Sequence, residues 1–177
     1  MKYGKLDFEP VLDNLDLVAK PVAGALKANG ADDVYVTAID PSLADTAAFC
    51  EHYGIGLEVS ANCVILEAKR ADRTWYVACL VLATDRIDVN GVVRRHLDAR
   101  KISFAPMDTA IKLTGMEYGG ITPIGLPADW QILVDEHVAK TDKVIIGSGL
   151  RGSKLLIPGW ILAGSPNAIQ VNIVKQG

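Results

Sequence analysis

Apolar residues near the start of the chain follow two different periods. From Phe8 to Ala28 they recur every three or four residues, which predicts one amphipathic helix that Pro21 bends or divides. Residues 34–39 are instead a β-branched run closed by an Asp-Pro turn, which predicts a strand. The chain therefore opens with a helix followed by a strand.

Residues 42–82 predict a second helix and a hairpin. A helix is expected from Thr46 to the turn at Gly54, with Asp45 or Ser42 as its N-cap. Two apolar runs then flank a charged turn, so that residues 63–67 and 74–82 are predicted to pair as an antiparallel hairpin. Both strands are apolar enough to lie in the centre of a sheet.

The second half of the chain alternates short strands and short helices. After a helix capped by Asp88, a short strand and a helix opened by Pro106, four strands are expected over residues 132–134, 143–146, 154–157 and 169–174. This irregular mixture predicts an α/β (α+β) fold, in which a mixed, mainly antiparallel sheet carries flanking helices. All 177 residues are expected to form a single domain.

Composition and charge exclude several classes of protein. Half of the residues are apolar and 22% are charged, which suits a packed core. The net charge of −3 argues against a protein that coats DNA or RNA, so any RNA contact is expected to be local. No apolar run is long enough to span a membrane, and the first ten residues carry four charges. We therefore expect a cytoplasmic protein without a membrane partner; its apolar content is compatible with a homodimer.

Two glycine-rich segments are candidates for a binding site. Residues 119–127 contain three glycines and two prolines, a composition that fixes a backbone path and leaves N–H groups for an oxyanion or carbonyl. Residues 147–154 follow an apolar strand and combine three glycines with two cations and two hydroxyls, as at the rim of a ligand site. A plain tight turn and a surface hairpin are the respective alternatives, and neither segment is a Walker loop.

Motifs for metals and nucleophiles are missing from the sequence. The three histidines are isolated, and no H-E-x-x-H, C-x-x-C or G-x-S-x-G string occurs, so no metal or cofactor is expected. Cys50, Cys63 and Cys79 lie among apolar neighbours and are expected to be buried thiols.

Basic residues form two clusters, and either is a candidate phosphate contact or a solvated face. The clusters are Arg94, Arg95, Arg100 and Lys101, and Lys69, Arg70 and Arg73.

Several segments, taken in order and with their spacing, resemble the YbaK family, which includes the editing insertion domain of bacterial prolyl-tRNA synthetases. The segments are D-T-A-A-F-C-E-H-Y-G-I from Asp45, S-A-N-C-V-I-L from Ser60, D-R-I-D-V from Asp85, L-T-G-M-E-Y-G-G-I-T-P-I-G from Leu113, V-D-E from Val134 and I-G-S-G-L-R-G-S-K-L-L-I from Ile146. The resemblance covers about residues 40–175 and is looser before them.

The resemblance implies a YbaK-like domain that hydrolyses the ester joining a wrong amino acid to the terminal ribose of tRNA. It implies the tRNA acceptor end as partner and no metal. In the family a G-x-x-x-P loop positions the aminoacyl carbonyl, and a ribose hydroxyl assists the attack of water. The implied catalytic residues are Asn62 and the loop residues Gly119, Gly120, Ile121, Thr122 and Pro123. The implied substrate contacts are Ser148, Gly149, Arg151, Gly152, Lys154 and Asp135.

One position departs from the family pattern. The family strand begins with a catalytic lysine, and Asn62 stands at the matching position here. An amide can hydrogen-bond a ribose or a carbonyl but carries no positive charge. Lys154 is a candidate to restore that charge. Three functions stay open: a deacylase, a module that binds an aminoacyl-tRNA end, an amino acid or a nucleotide, and a hydrolase of another small ester.

Overall fold

The computed structural model describes residues 1–176. Its strands are β1 Lys2–Tyr3, β2 Leu6–Asp7, β3 Glu9–Pro10, β4 Tyr35–Ala38, β5 Ala61–Arg70, β6 Arg73–Leu82, β7 Lys101–Phe104, β8 Gln131–Asp135, β9 Val144–Gly147, β10 Ser153–Ile157 and β11 Ala168–Val171. Its α-helices are α1 Lys20–Asn29, α2 Thr46–Tyr53, α3 Arg94–His96, α4 Met107–Thr114, α5 Glu136–Lys140 and α6 Gly159–Ala163. In this part of the chain no helix is long and apolar enough to cross a membrane.

The central sheet has five strands in the order β11-β8-β6-β5-β7. The predicted hairpin is confirmed, and β5 and β6 pair along their whole length from Ala61 opposite Leu82 to Arg70 opposite Arg73. Strand β7 pairs antiparallel with β5, whereas β8 runs parallel to β6 and β11 parallel to β8. The predicted mixed, mainly antiparallel α/β fold is therefore confirmed.

A second sheet, in the order β3-β4-β10-β9, is antiparallel throughout. A single parallel bridge between Ser60, just before β5, and Ile145 of β9 joins it to the central sheet. Apolar side chains of both sheets share one core with α1, including Val22, Leu80 and Leu155. The junction between the sheets is consequently packed with apolar side chains on its core side.

The long helix predicted from Phe8 to Ala28 is wrong. Only α1 is α-helical there, and it begins next to Pro21, which lies in its first turn, where a proline costs no hydrogen bond. The residues before it form β3 and two short 3₁₀ turns, in which Asn14 donates its side-chain amide to the carbonyl of Pro10 (3.0 Å). Because 3₁₀ turns repeat every three residues, they imitate the apolar spacing of a longer helix.

Three predicted helix ends agree with the structure, and the side-chain cap predicted at Asp45 does not form. Gly54 and Gly115 adopt left-handed backbone conformations at the ends of α2 and α4, as expected. Asp88 accepts the N–H of Gly91 (3.0 Å), which confirms its capping role. Asp45 occupies the N-cap position of α2, yet its side chain makes no capping hydrogen bond. Its carboxylate is therefore available for another contact.

Candidate functional site

The site lies beside an open edge of β5. Strand β7 pairs with β5 only over Leu66–Lys69, and the last contact on that side is the N–H of Ala105 donating to Ile65 (2.9 Å). Beyond it, a cavity of about 500 Å³ extends past residues 61–65 to Gly147 of β9. An open strand edge presents backbone donors and acceptors to whatever occupies the adjacent space. We call this space the first cavity.

Asn62 lines the first cavity from β5. Its Oδ1 accepts a hydrogen bond from the hydroxyl of Thr46, the first residue of α2 (2.5 Å). Within residues 1–176, the amide nitrogen of Asn62 has no partner and remains able to donate. The side chain is thus oriented by Thr46, and one face of its amide is left for a ligand.

Lys154 brings a positive charge into the same cavity. It lies on β10 directly opposite Gly147, and only 7% of the residue is exposed. Its Nζ donates to the carbonyl of Ala44 (3.1 Å) and lies 5.2 Å from the ring centre of Phe49. Burial lowers the pKa of this ammonium, and the nearby charge of Asp45 acts in the opposite direction.

The ammonium of Lys154 retains donors for a ligand. No carboxylate of the described residues lies within ion-pair distance of it, and an ammonium has three donors, of which Ala44 uses one. A buried, incompletely paired charge is costly, so its retention in a cavity favours a functional role over a structural one.

The loop after α4 supplies backbone donors. Gly119 and Ile121 both line the first cavity. Their N–H groups find no acceptor among residues 1–176 and can bind a carbonyl oxygen or an oxyanion. The loop approaches β9 so closely that a β-carbon on Gly147 would lie 2.5 Å from the carbonyl oxygen of Gly120. A glycine is therefore required at position 147.

The second glycine-rich loop holds the first in place. The N–H of Gly149 donates to Gly120 (2.7 Å), and the N–H of Arg151 donates to Oε1 of Glu117 (2.8 Å). The guanidinium of Arg151 also donates to the carbonyls of Tyr118 and Pro41, each at 3.1 Å. These contacts fix the path of the loop that carries Gly119.

The remaining residues of the second loop make hydrogen bonds within the protein. The hydroxyl of Ser148 lies 2.6 Å from that of Ser153 and accepts the N–H of Leu150 (3.2 Å). The carbonyl of Gly152 accepts the N–H of Ile39 (2.9 Å). Among the predicted substrate contacts, the structure places only Lys154 in the lining of the first cavity.

Four predicted site residues outside the second loop also lie away from this lining: Gly120, Thr122, Pro123 and Asp135. Thr122 is fully buried, and its hydroxyl has no hydrogen-bond partner in the part of the chain described. Pro123 lines a second cavity of about 480 Å³ on the other side of the loop. Asp135 is fully buried and accepts the N–H groups of His137 and Ile173, each at 3.0 Å. Its carboxylate stabilises the start of α5, a helix that the sequence analysis missed.

Sequence reasoning also missed four residues that line the first cavity: Asp45, Thr46, Phe104 and Tyr118. Asp45 was interpreted only as a helix cap, although a carboxylate beside a glycine-rich site is a typical partner of a substrate ammonium. Phe104 and Tyr118 carried no sequence signal, because only the fold shows that they are exposed at the mouth of the cavity.

One histidine is less isolated than its sequence position suggests. Nδ1 of His137 lies 2.8 Å from Asp85 and 3.4 Å from Asp135, and the ligand atoms of these three residues lie within 4.8 Å of one another. The hydrogen bond with Asp85 raises the pKa of His137. The cluster has the donor types of a divalent-metal site, but it takes no part in the lining of the first cavity.

The cysteines offer no nucleophile. Cys50 and Cys79 are buried as predicted, and Cys63 is half-buried at the first cavity. Burial raises the pKa of the Cys63 thiol to about 12. This shift favours the neutral thiol, the less reactive form, and Cys63 is not assigned a nucleophilic role.

Comparison with solved structures supports the fold. The chain superposes on a proposed trans-editing enzyme for prolyl tRNA synthetase with a TM-score of 0.75 at 19% identity, covering 89% of this chain and 96% of that one. A hypothetical protein of solved structure gives a TM-score of 0.77 at 18% identity, covering 88% and 100% of the two chains. At these identities the likeness concerns the fold alone.

Sequence comparison gives a narrower relationship. Proline–tRNA ligase of Lactobacillus gasseri is 39% identical over 72 residues, which are 39% of this chain and 12% of the ligase. The chain thus corresponds to a small part of that enzyme. The model of the aminoacyl-tRNA editing domain family matches residues 40–163, which include β5, the Gly119 loop and Lys154. The chain belongs to the aminoacyl-tRNA editing domain family.

Proposed function

We propose that the first cavity hydrolyses the ester between an amino acid and the terminal ribose of a mischarged tRNA. The observation that carries this proposal is the buried ammonium of Lys154, which lines the same cavity as Asn62 and the Gly119 loop. The cation that the family pattern has at position 62 is then supplied from β10.

The proposed reaction uses groups on three sides of the cavity. Water attacks the ester carbonyl carbon, the negative charge moves to the carbonyl oxygen, and the C–O bond to the ribose breaks as the ribose oxygen takes a proton. Lys154 and the N–H groups of Gly119 and Ile121 stabilise the oxyanion, an effect of about 2.7–4 kcal/mol for one preorganised donor. The amide of Asn62 binds the ribose or the carbonyl, and the substrate hydroxyl assists the water.

Asp45 completes the recognition of the amino acid. Its exposed carboxylate lines the first cavity and makes no capping bond. An aminoacyl ester carries an α-ammonium group, and a carboxylate is its natural partner. Asp45 is therefore assigned to the α-amino group of the substrate.

A second candidate function is a binding module that keeps the cavity without the chemistry. It is favoured by the hydrogen bond between Asn62 and Thr46, which occupies the amide oxygen at the position of the family lysine. Such a module would recognise an aminoacyl-tRNA end, an amino acid or a nucleotide with the same lining groups. It predicts binding without turnover.

The deciding experiment measures deacylation of Ala-, Ser-, Thr- and Cys-charged tRNAs by the purified protein. The deacylase proposal expects turnover of at least one substrate, retained in EDTA because every group in the scheme belongs to the chain or the substrate. It also expects a large loss of turnover in Lys154→Ala. An inert wild type, with activity gained only in Asn62→Lys, would establish the binding module instead.

A further inference from the structure

The two basic clusters that are separate in the sequence meet at one end of the central sheet. Lys69 of β5 lies directly opposite Lys101 of β7, and the N–H of Arg100 donates to the carbonyl of Lys69 (2.9 Å). Directly opposed residues project from the same face of a sheet, and like charges in such a pair destabilise it. The pairing therefore concentrates positive charge on one face of the sheet at this end.

The charge of this end is opposite in sign to that of the whole chain. Segments 67–73 and 94–101 contain seven Lys or Arg and three Asp or Glu, a net charge of +4 in a protein whose net charge is −3. Glu67 pairs with Lys69 at 3.3 Å, and Asp98 pairs with Arg70 at 3.4 Å.

Four of the seven cations are exposed and have no carboxylate within 4.0 Å among residues 1–176: Arg73, Arg95, Arg100 and Lys101. The guanidinium of Arg73 also lies 4.5 Å from the ring centre of Trp75. We call the surface formed by Lys69, Arg70, Arg73, Arg100 and Lys101 the basic end.

Strand β7 connects the basic end to the first cavity. Lys101 begins the strand, and Phe104 ends it at the cavity mouth, about 10 Å away at the usual rise per residue. Phe104 is 61% exposed, and Tyr118 on the same rim is 52% exposed. Phe104 lies opposite Leu66 and therefore shares a face of the sheet with Arg70, whereas Lys69 and Lys101 project from the other face of this edge. An exposed aromatic ring and cations along one edge can together hold single-stranded nucleic acid.

We propose that the acceptor arm of tRNA lies along β7, with its terminal base stacked on Phe104 and its phosphates against the basic end. The identity of the ligand rests on the proposed function, because an aminoacyl ester in the first cavity places the 3′ end of its RNA at the cavity mouth. The cations then neutralise the phosphates that follow the ester along the strand. The net charge of the protein is no obstacle, because screening confines the interaction to nearby charges.

The first test measures the affinity of a 3′-CCA-ended acceptor-stem minihelix at several salt concentrations by fluorescence anisotropy. In Arg100→Ala/Lys101→Ala, the slope of log Kd against log salt should become shallower by about 2, since each phosphate contact contributes about 1. The matched control, Lys27→Ala/Lys140→Ala, removes the same charge from exposed positions on α1 and α5 and should keep the wild-type slope.

The second test examines the aromatic platform. Phe104→Ala should weaken minihelix binding roughly 5- to 150-fold, the range that corresponds to loss of one stacked base, and Phe104→Trp should retain binding. A minihelix that lacks the 3′ single strand should bind wild type and Phe104→Ala equally. The comparison of the two minihelices distinguishes loss of base stacking from a general loss of apolar surface.

The outcomes separate this proposal from the deacylase proposal. An undetectable interaction, or an unchanged salt slope in Arg100→Ala/Lys101→Ala, would overturn the path along β7 even if mischarged tRNA is hydrolysed. The expected changes in slope and stacking, found in a protein that hydrolyses none of the four charged tRNAs, would support the path and reject the chemistry.

Discussion

Two cavities of nearly equal volume lie on either side of the Gly119–Pro127 segment. The first cavity contains a buried cation, a carboxylate and an oriented amide. The second cavity, between α1, α6 and residues 123–130, is lined mainly by apolar groups, including Trp130, Ile157 and Trp160. Volume therefore does not distinguish the two cavities. The difference lies in polar groups that have donors or acceptors to spare.

The glycines of the segment explain how one loop can separate the two cavities. Gly120 approaches Leu150 so closely that a β-carbon would lie 2.7 Å from the leucine carbonyl. Gly125 has a φ of +86° and packs against the backbone at Pro21. The start of the segment, Gly119 and Ile121, lines the first cavity, whereas residues 123–127 line the second.

The largest expected effect is the loss of the cation from the first cavity. Lys154→Met keeps the length of the side chain and should lower kcat/KM for the mischarged aminoacyl-tRNA substrate by roughly 10²–10³-fold, as for removal of one preorganised oxyanion donor. The melting temperature should not fall, because burying the ammonium costs free energy that methionine avoids. A lower melting temperature with unchanged kcat/KM would show that Lys154 is structural.

The pH profile tests the same residue without a loss of volume. Because burial lowers the pKa of Lys154, its ammonium loses the proton as the pH rises, and does so before the pH reaches the usual lysine value of 10.5. kcat/KM should decline over the same pH range. Lys154→Arg should shift that decline to higher pH. The unfolded chain binds the proton more tightly, so the free energy of unfolding should rise with pH between the lowered pKa and 10.5.

A backbone clash beside the first cavity should reduce stability and turnover together. Gly147→Ala forces a β-carbon against the carbonyl oxygen of Gly120 and should destabilise the protein by about 1–3 kcal/mol, with a loss of turnover. Gly24→Ala is the matched control, because nothing lies within 4 Å of its added β-carbon. In the middle of α1 it should stabilise by about 1 kcal/mol. Chemical denaturation measures both values, and equal effects would contradict the clash.

A smaller effect, and an increase in stability, is expected at Thr122, which is buried between the two cavities. Thr122→Val replaces an unpartnered hydroxyl with a methyl group and should raise the free energy of unfolding by about 1 kcal/mol. Turnover should stay unchanged, because Thr122 does not line the first cavity. A drop in kcat/KM would instead show that substrate recruits this hydroxyl.

The smallest effect is expected at the second cavity. Trp160→Ala removes a side chain that is 66% exposed, so stability should change by about 0.5 kcal/mol or less. Deacylation should be unaffected if the two cavities are independent. A large loss of turnover would show that the second cavity also takes part in deacylation.

Local pattern was sufficient for the elements whose signals are local. The hairpin of β5 and β6 and the glycine ends of α2 and α4 follow from apolar runs and from left-handed glycines. The region before α1 was mistaken because short 3₁₀ turns share the apolar spacing of a helix. Helix α5 was missed because five residues give too short a pattern.

The sequence by itself determined the family, the mixed sheet and the glycine-rich loops, and it carries the prediction that Asn62 stands where the family pattern has lysine. Tertiary structure alone decided that Lys154 enters the first cavity while Arg151 and Ser148 support its rim. It also brought Lys69 opposite Lys101 and left Phe104 exposed. The physical reason is that burial and register depend on which strands pair across the sheet. A residue's own neighbours in the chain cannot specify that pairing.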